Sequence, residues 1–438
     1  MHKQLTGKSL CICFGMWTRG GGNPPSILHE EALMSQSSTT SRSIGLGQSA
    51  GYFAAFVALG IAQAALGPTL PDLAARVHAD LQSISYGLAA HALGYLAGSV
   101  VGGQLYDRVR GHPVMAAMLV LLAGNLFAIP LIPLLPLLIG ALFALGFGAG
   151  ALDVGGNTLI VWVHGRRVSP YMNALHFFFG VGAFLAPVII AQAITRTGSI
   201  QWAYWSLAFL ILPVALLILL LPSPRNVRVQ DSSESEDDNS QASPQIRRDW
   251  LLVVLIALFF FVYVGAEGSF GGWIATYARE SGLGNAAEAA YLTSVFWGAL
   301  TLGRLLSVLV AMRLTPRQVL ATDLLGVLLS VVLLSQGPHS KTLTWLGAAG
   351  AGLSMASIFP TTLSLAERHM TISGTVTSLF FVGASTGGMV IPWAIGQLFG
   401  SIGPRVVPAF LMTAALLDIA IFSFVVIHTR RAEKGGTM

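Results

Sequence analysis

Long apolar runs alternate with short polar breaks along almost the whole chain, from about residue 49 to residue 428. Each run has at least ~18 residues, which is long enough to cross a hydrocarbon core of ~30 Å as an α-helix. Runs such as "LLVVLIALFFFVYVG" lack the alternating polarity of an outer-membrane β-barrel strand. The pattern predicts twelve membrane-spanning helices, at 49–70, 84–105, 113–131, 135–162, 171–193, 202–221, 250–276, 288–311, 317–336, 343–365, 372–398 and 406–428.

A polar segment rich in Ser, Asp and Glu divides the twelve runs into two sets of six. Its composition is typical of a flexible linker, with the least order expected at 231–243. We therefore expect an all-α membrane protein with two pseudo-symmetric six-helix bundles. The predicted parts are a disordered cytoplasmic N-terminal tail (1–47), the first bundle (48–221), a cytoplasmic linker (222–249), the second bundle (250–428) and a cytoplasmic C-terminal tail (429–438). The polar run after Met34 leaves translation from that residue open.

Composition and charge agree with a membrane protein and set its expected orientation. The chain is 54% hydrophobic and 10% charged, whereas an ordinary soluble domain has roughly 25% charged residues. Short cytoplasmic loops of membrane proteins are enriched in Lys and Arg. With both termini in the cytoplasm, the cytoplasmic loops and the C-terminal tail hold 14 of the 24 Lys and Arg residues, and the outer loops hold five. This distribution predicts a multi-pass protein, expected in the plasma membrane, with both termini cytoplasmic.

The sequence lacks the motif of ATP-driven pumps and that of zinc hydrolases. It contains no G-x-x-x-x-G-K-S/T and no H-E-x-x-H. Both cysteines, Cys11 and Cys13, lie in the N-terminal tail, so the membrane body has no thiol for a disulfide or a metal site. We expect no catalytic residues, no cofactor, no metal site and no nucleic-acid partner.

A charged loop follows the second predicted helix, with the sequence "GQLYDRVRGH" at 103–112. It resembles the loop signature of the major facilitator superfamily, G-x-L-x-D-R-x-G-R. Gly103 is expected to let neighbouring helices approach closely, while Asp107 and Arg108 are expected to form a cytoplasmic latch that breaks when the two halves rock. In the second half the equivalent region keeps Arg304, for which Asp323 is a candidate partner. The alternative is a basic loop that only sets topology.

The fourth, fifth and seventh predicted helices carry a narrower resemblance, in "GALDVGGNTLIVW", "YMNALHFFFGVGAFLAP" and "YVGAE". These strings resemble the fucose:proton symporter family and, more closely, its sodium-dependent glucose transporter branch. Asp153 and Asn157 match the acid and the Asn of that branch's fourth helix, and their i, i+4 spacing places them on one helix face. The resemblance covers essentially residues 50–425. It implies a two-bundle carrier that works by alternating access and moves a monosaccharide.

Acidic residues predicted to lie inside the bilayer are found in the fourth and seventh predicted helices. A charged side chain at mid-membrane costs at least ~2.5 kcal/mol, so such residues usually face a cavity and serve transport. Asp153 and Glu267 are the deepest predicted acids and are candidates for binding both substrate and coupling ion. His176, Gln63 and Trp273 are further substrate-binding candidates, because amides pair with sugar hydroxyls and an indole stacks on a sugar ring. Ordinary packing inside the helix bundle is the alternative for each of these three.

The first predicted helix departs from the fucose symporters, which carry an acid there. This chain has Gly67 near that place and its only acid, Asp72, at the outer end. Sodium coupling, proton coupling by a single acid and facilitated passage therefore stay open. We expect a secondary active transporter of a small polar solute, preferably a monosaccharide, with a sugar, a proton or sodium ion and membrane lipid as partners. A drug or metabolite efflux carrier and a non-transporting membrane receptor or scaffold are the alternatives.

Overall fold

The computed structural model describes residues 27–224, 249–336, 340–370 and 374–435, and every regular element in these ranges is helical. The chain separates into two compact units, residues 1–44 and residues 45–438. The α-helices are α1 (Ile27–Ala64), α2 (Leu66–Arg76), α3 (Leu81–Arg108), α4 (Gly111–Ala128), α5 (Leu135–His164), α6 (Ser169–Thr197), α7 (Ile200–Leu220), α8 (Trp250–Glu280), α9 (Ala286–Ala311), α10 (Pro316–Ser335), α11 (Lys341–Met355), α12 (Ile358–Glu367), α13 (Gly374–Ile402) and α14 (Val406–Gly435).

Twelve helical stretches within the described ranges are long and apolar enough to span a membrane, which confirms the predicted number. The first runs from Gly45 to Ala64, and the twelfth from Val406 to Arg431. We call the membrane face where the first span begins the tail face, and the opposite face the distal face. The predicted orientation makes the tail face cytoplasmic.

Two predicted spans are each broken into two helices, and a proline lies a few residues after each break. The apolar run at 49–70 divides after Ala64, and α2 continues it as a separate helix that contains Pro68. The tenth span divides between α11 and α12, just before Pro360. A proline ring has no backbone N–H and clashes with the carbonyl four residues earlier, here that of Ala64 or Ala356. The two prolines therefore account for the breaks, which the pattern of apolar residues alone does not predict.

Residues 27–47 fall within the predicted N-terminal tail (1–47) and belong to α1 in the structure, while disorder of the tail stays a prediction. The segment begins with "ILHEEALM", in which Glu, Ala, Leu and Met are strong helix formers. Residues 1–26 and the predicted linker core at 231–243 lie outside the described residues.

Close backbone contact joins α3 to α5 inside the first bundle. A Cβ atom added at Gly94, Gly98 or Gly102 would lie 2.1 Å from the Phe143 carbonyl oxygen, 2.0 Å from the Phe147 carbonyl oxygen or 2.8 Å from the Ala151 Cα, respectively. Small residues spaced by four are the usual means of close helix packing in membranes. Gly103 was expected to have this role from the sequence, but a Cβ there would meet only the Val154 side chain, at 3.9 Å. The packing face is thus one residue away from the predicted one.

Candidate functional site

Asp153 lies on the inner face of α5 and accepts two hydrogen bonds at its carboxylate. Tyr95 of α3 donates its hydroxyl to Oδ2 at 2.6 Å, and Asn157 donates its amide to Oδ1 at 3.0 Å. The same amide nitrogen also donates to the Asp153 backbone carbonyl at 2.9 Å, as the predicted i, i+4 spacing allows. Two donors therefore hold the carboxylate in one orientation. Tyr95 was not among the residues singled out from the sequence.

His176 of α6 connects Asp153 to the second half of the molecule. Its imidazole interacts electrostatically with Asp153 and also with Arg304 of α9. The ring meets Phe56 of α1 edge to face, with 5.9 Å between the ring centroids. His176 is exposed although it lies within a spanning helix, in the third of α6 nearest the tail face.

Glu267 of α8 and Arg304 of α9 form an ion pair, with 3.9 Å between Oε1 and Nη2. Their side chains are 17% and 32% exposed, respectively, so both groups are shielded from bulk solvent only in part. From the sequence, Asp323 was a candidate partner of Arg304 in a latch. In the structure Asp323 instead accepts a hydrogen bond from Ser357, at the break between α11 and α12. Arg304 therefore belongs to the interior of the protein and not to a tail-face latch.

These four side chains form what we call the central charge cluster: Asp153, His176, Glu267 and Arg304. Two come from the first bundle and two from the second, and the electrostatic interaction between His176 and Arg304 crosses between the bundles. The cluster has two carboxylates, one guanidinium and one imidazole, so acidic and basic groups lie together within the membrane region. The structure thus brings three residues predicted from the sequence together with one that was assigned elsewhere.

Trp273 does not lie where the predicted stacking on a sugar requires it. Its side chain is fully buried, its indole N–H donates to the Pro392 carbonyl at 2.9 Å, and its ring stacks on Phe399 with 5.4 Å between centroids. Packing within the second bundle occupies the ring in this conformation. The prediction of a substrate-stacking role is corrected accordingly, because helix periodicity places Trp273 on α8 without fixing the face that it occupies.

A set of contacts, which we call the distal seal, closes the two bundles against each other near the distal face. Arg279 of α8 donates to both carboxylate oxygens of Asp72 of α2, at 2.6 and 3.1 Å. Gln397 of α13 bonds to Ser85 at 3.0 Å and to Gln82 at 3.2 Å, both in α3. All of these contacts join the first bundle to the second in the distal half. The conformation is therefore closed at the distal face.

Backbone contact strengthens the distal seal at Gly67 of α2. A Cβ atom added there would lie 2.2 Å from the carbonyl oxygen of Gly271 in α8. No larger side chain fits between the two helices without moving one of them. The acid that fucose symporters carry near this place therefore has no room in this conformation.

Reversing one charge of the distal seal should weaken closure, and reversing both should restore it. We expect Asp72→Arg and Arg279→Asp each to lower the maximal transport rate about two- to fivefold, since partly exposed ion pairs contribute up to ~1 kcal/mol. The double variant should regain most of the rate, because the pair is re-formed with opposite polarity. Initial-rate uptake in proteoliposomes measures all three variants. A double variant that is slower than both single variants would mean that the pair does not act as a closing contact.

The predicted tail-face latch residues Asp107 and Arg108 are exposed, at the end of α3. Neither forms an ion pair with any other residue of the described ranges. Since the distal face is closed in this conformation, an open tail-face latch is compatible with alternating access. The latch role of these residues stays a prediction.

Comparison with known proteins places the chain among transporters. The family profile described as Major Facilitator Superfamily matches residues 52–392. Sodium-dependent glucose transporter 1A of Mus musculus is 32% identical over 380 residues, which is 80% of this chain and 88% of that protein. Sodium-dependent glucose transporter 1 of Homo sapiens is also 32% identical, over 79% of this chain and 72% of that protein.

Solved structures share the fold at low sequence identity. The nucleoside transporter NupG superposes with a TM-score of 0.68 at 14% identity, covering 88% of this chain and 98% of its own. The D-xylose-proton symporter superposes with a TM-score of 0.67 at 13% identity, covering 85% of this chain and 97% of its own. These likenesses confirm the predicted architecture of twelve spanning helices.

Proposed function

The chain belongs to the Major Facilitator Superfamily and is a transporter rather than an enzyme, and on this premise we propose that its cargo is a monosaccharide. The curated relatives with 32% identity are named for sodium-dependent transport of glucose. The proposal also covers the mode of action: the bundles at 48–221 and 250–428 rock about a central site, which alternately faces each side of the membrane.

The central charge cluster is the observation that carries this proposal. It presents carboxylates, an imidazole, a guanidinium and the Asn157 amide, which together accept and donate hydrogen bonds. A sugar hydroxyl both donates and accepts, so a site with both kinds of group suits a polyhydroxylated solute. Because the cluster draws residues from both bundles, a ligand bound there contacts both and can be passed from one side to the other. Drug exporters need no such density of polar groups.

We further propose that Asp153 and Glu267 hold the coupling cation. The separation of 3.9 Å between Glu267 and Arg304 is longer than a direct hydrogen bond, so the Glu267 carboxylate keeps lone pairs for another partner. Sodium prefers oxygen ligands, and carboxylates supply them together with negative charge. The names of the relatives favour sodium over a proton.

Uptake by purified protein tests the proposed function. Reconstituted protein should accumulate labelled glucose in proteoliposomes under an inward sodium gradient, and uptake should fall when potassium replaces sodium. A thermal-shift panel of sugars, with and without sodium, provides a second readout because a ligand of the folded state raises its stability. If no monosaccharide is bound or transported under either ion, the proposed substrate class is wrong.

The orientation and the location in the plasma membrane are part of the proposal. In a background with Cys11 and Cys13 replaced by Ser, we expect Val109→Cys on the tail face to react with a membrane-impermeant thiol reagent only after cells are permeabilised. Ser281→Cys, between α8 and α9 on the distal face, should react in intact cells. The positive-inside distribution of Lys and Arg is the physical reason. The reverse pattern of labelling would invert the proposed topology.

A further inference from the structure

Among the buried polar side-chain atoms that have no hydrogen-bond partner in the described part of the chain, two lie on helices from opposite bundles. They are Oε1 of Gln63, near the end of α1, and Nε1 of Trp297, in α9. The first atom can only accept a hydrogen bond, and the second can only donate one. Leaving either unpaired in a shielded place costs free energy, so each needs a partner that the surrounding helices do not supply.

Both residues lie at the same depth. Gln63 follows Phe56 by seven residues on α1, so it shares the helix face of Phe56 and lies ~10 Å nearer the distal face. Trp297 precedes Arg304 by seven residues on α9, which runs in the opposite direction, so it also lies ~10 Å nearer the distal face. Phe56 and Arg304 both interact with His176. Gln63 and Trp297 thus form a layer about two helical turns above the central charge cluster.

The two residues also converge laterally, as contacts on either side of Gln63 indicate. Gly60, one turn before Gln63, packs against the backbone of Phe179, whose ring meets Trp297 edge to face at 6.4 Å between centroids. Beyond Gln63, Gly67 packs against Gly271, and a Cβ atom added at Gly271 would lie 3.4 Å from the Trp297 indole nitrogen. Two neighbours of Trp297, Phe179 and Gly271, therefore contact α1 and α2 just before and just after Gln63.

We propose that Gln63 and Trp297 form a pair that binds one hydroxyl group of the transported sugar. The hydroxyl would donate its hydrogen to Gln63 Oε1 and accept the indole N–H of Trp297, which satisfies both atoms at once. The sugar's other hydroxyl groups then point toward His176 and the central charge cluster. The inference rests on the proposed function and adds to it a specificity-determining residue, Trp297, which acts together with the sequence-predicted Gln63.

Substitutions that remove only the polar atom test the pair. Trp297→Phe keeps an aromatic ring without the N–H, and Gln63→Leu keeps the approximate size without the acceptor. Binding affinity and transport KM of the full-length protein would be measured in proteoliposomes for glucose and for each of its monodeoxy analogues. Trp202→Phe is the matched control, because Trp202 is half exposed in α7, away from the site.

We expect each variant to weaken glucose binding about tenfold, as the loss of one buried hydrogen bond does. With the one deoxy analogue that lacks this hydroxyl, the wild type should lose both bonds and so about the combined factor of the two variants, whereas each single variant should lose only about a further tenfold. The double variant should bind glucose and that analogue equally weakly, because neither bond is left to lose. Trp202→Phe should leave every affinity unchanged.

Two results would overturn the pair. If folded Trp297→Phe and Gln63→Leu proteins weaken glucose and every deoxy analogue by the same factor, the two side chains only pack or hold a water molecule. If wild-type protein takes up glucose and no variant changes any affinity, the site lies elsewhere. Failure of the wild type to bind or transport any hexose would instead overturn the proposed function together with the pair, so the two failures are distinguishable.

Discussion

Replacing Asp153 with Asn should abolish concentrative uptake while leaving the protein folded. Asn keeps the size and planar shape of the side chain and can still accept a hydrogen bond from Tyr95, but it carries no charge with which to bind a cation. Losing a charged hydrogen bond costs roughly 1.5 to 3 kcal/mol, which corresponds to about a tenfold to hundredfold loss of affinity. Asp153→Ala should reduce affinity further, because it also removes the acceptor of the 2.6 Å hydrogen bond from the Tyr95 hydroxyl.

Binding and accumulation must both be measured for these variants, by thermal shift and by uptake against a gradient in proteoliposomes. Asp80→Asn is a suitable control, because Asp80 caps α3 at the distal face by accepting from the Ser83 backbone N–H, and Asn is an equally good N-cap. If Asp153→Asn accumulates sugar as the wild type does, Asp153 is a structural residue and the candidate site is misplaced.

Substitution of Gly67 by Ala should impair closure of the distal face. The added Cβ would lie 2.2 Å from the Gly271 carbonyl oxygen, a backbone atom that cannot rotate away. Forcing a methyl group into packed structure typically costs 1 to 3 kcal/mol, which would lower the population of the distal-closed conformation about fivefold to more than a hundredfold. Turnover should fall accordingly, because each cycle passes through this conformation.

Accessibility of a single cysteine reports this closure directly. Ser85 is buried in the distal seal, so Ser85→Cys in a background without Cys11 and Cys13 should react slowly with a thiol reagent added at the distal face. Gly67→Ala should raise that reaction rate. Gly124→Ala is the matched control, since a Cβ atom at Gly124 meets nothing within 4 Å. Equal labelling of the Gly67 and Gly124 variants would show that the helices do not close at Gly67.

The sequence predicts the number and approximate limits of the spanning helices, because run length and polarity are properties of single segments. It also predicts that Asp153 and Asn157 share a helix face. The partners of these residues on other helices are not predictable in this way: Tyr95 lies 58 positions from Asp153, and their contact depends on the rotation of α3 against α5. One signal was available, since the four-residue spacing of Gly94, Gly98 and Gly102 identifies the face of α3 that packs.

Two misassigned residues illustrate the same limit. Arg304 lies in the second-half segment equivalent to the charged loop at 103–112, which suggested a latch. In the structure the rotation of α9 directs its side chain toward Glu267. Trp273 has the right residue type for stacking on a sugar, yet its side of α8 packs against α13. Sequence patterns assign residue types to segments, while the relative rotation of the helices decides which of them face the cavity.

The glycine row of α3 also affects how the protein responds to temperature. Helices that touch backbone to backbone in lipid are held by van der Waals contact and not by the exclusion of water. Hydrophobic stabilisation weakens on cooling, whereas contact of this kind has no such dependence. Chilling the protein in a bilayer should therefore leave the α3–α5 contact intact while slowing the exchange between conformations. Low temperature is thus the condition under which a single conformation of this protein can be held long enough to be observed.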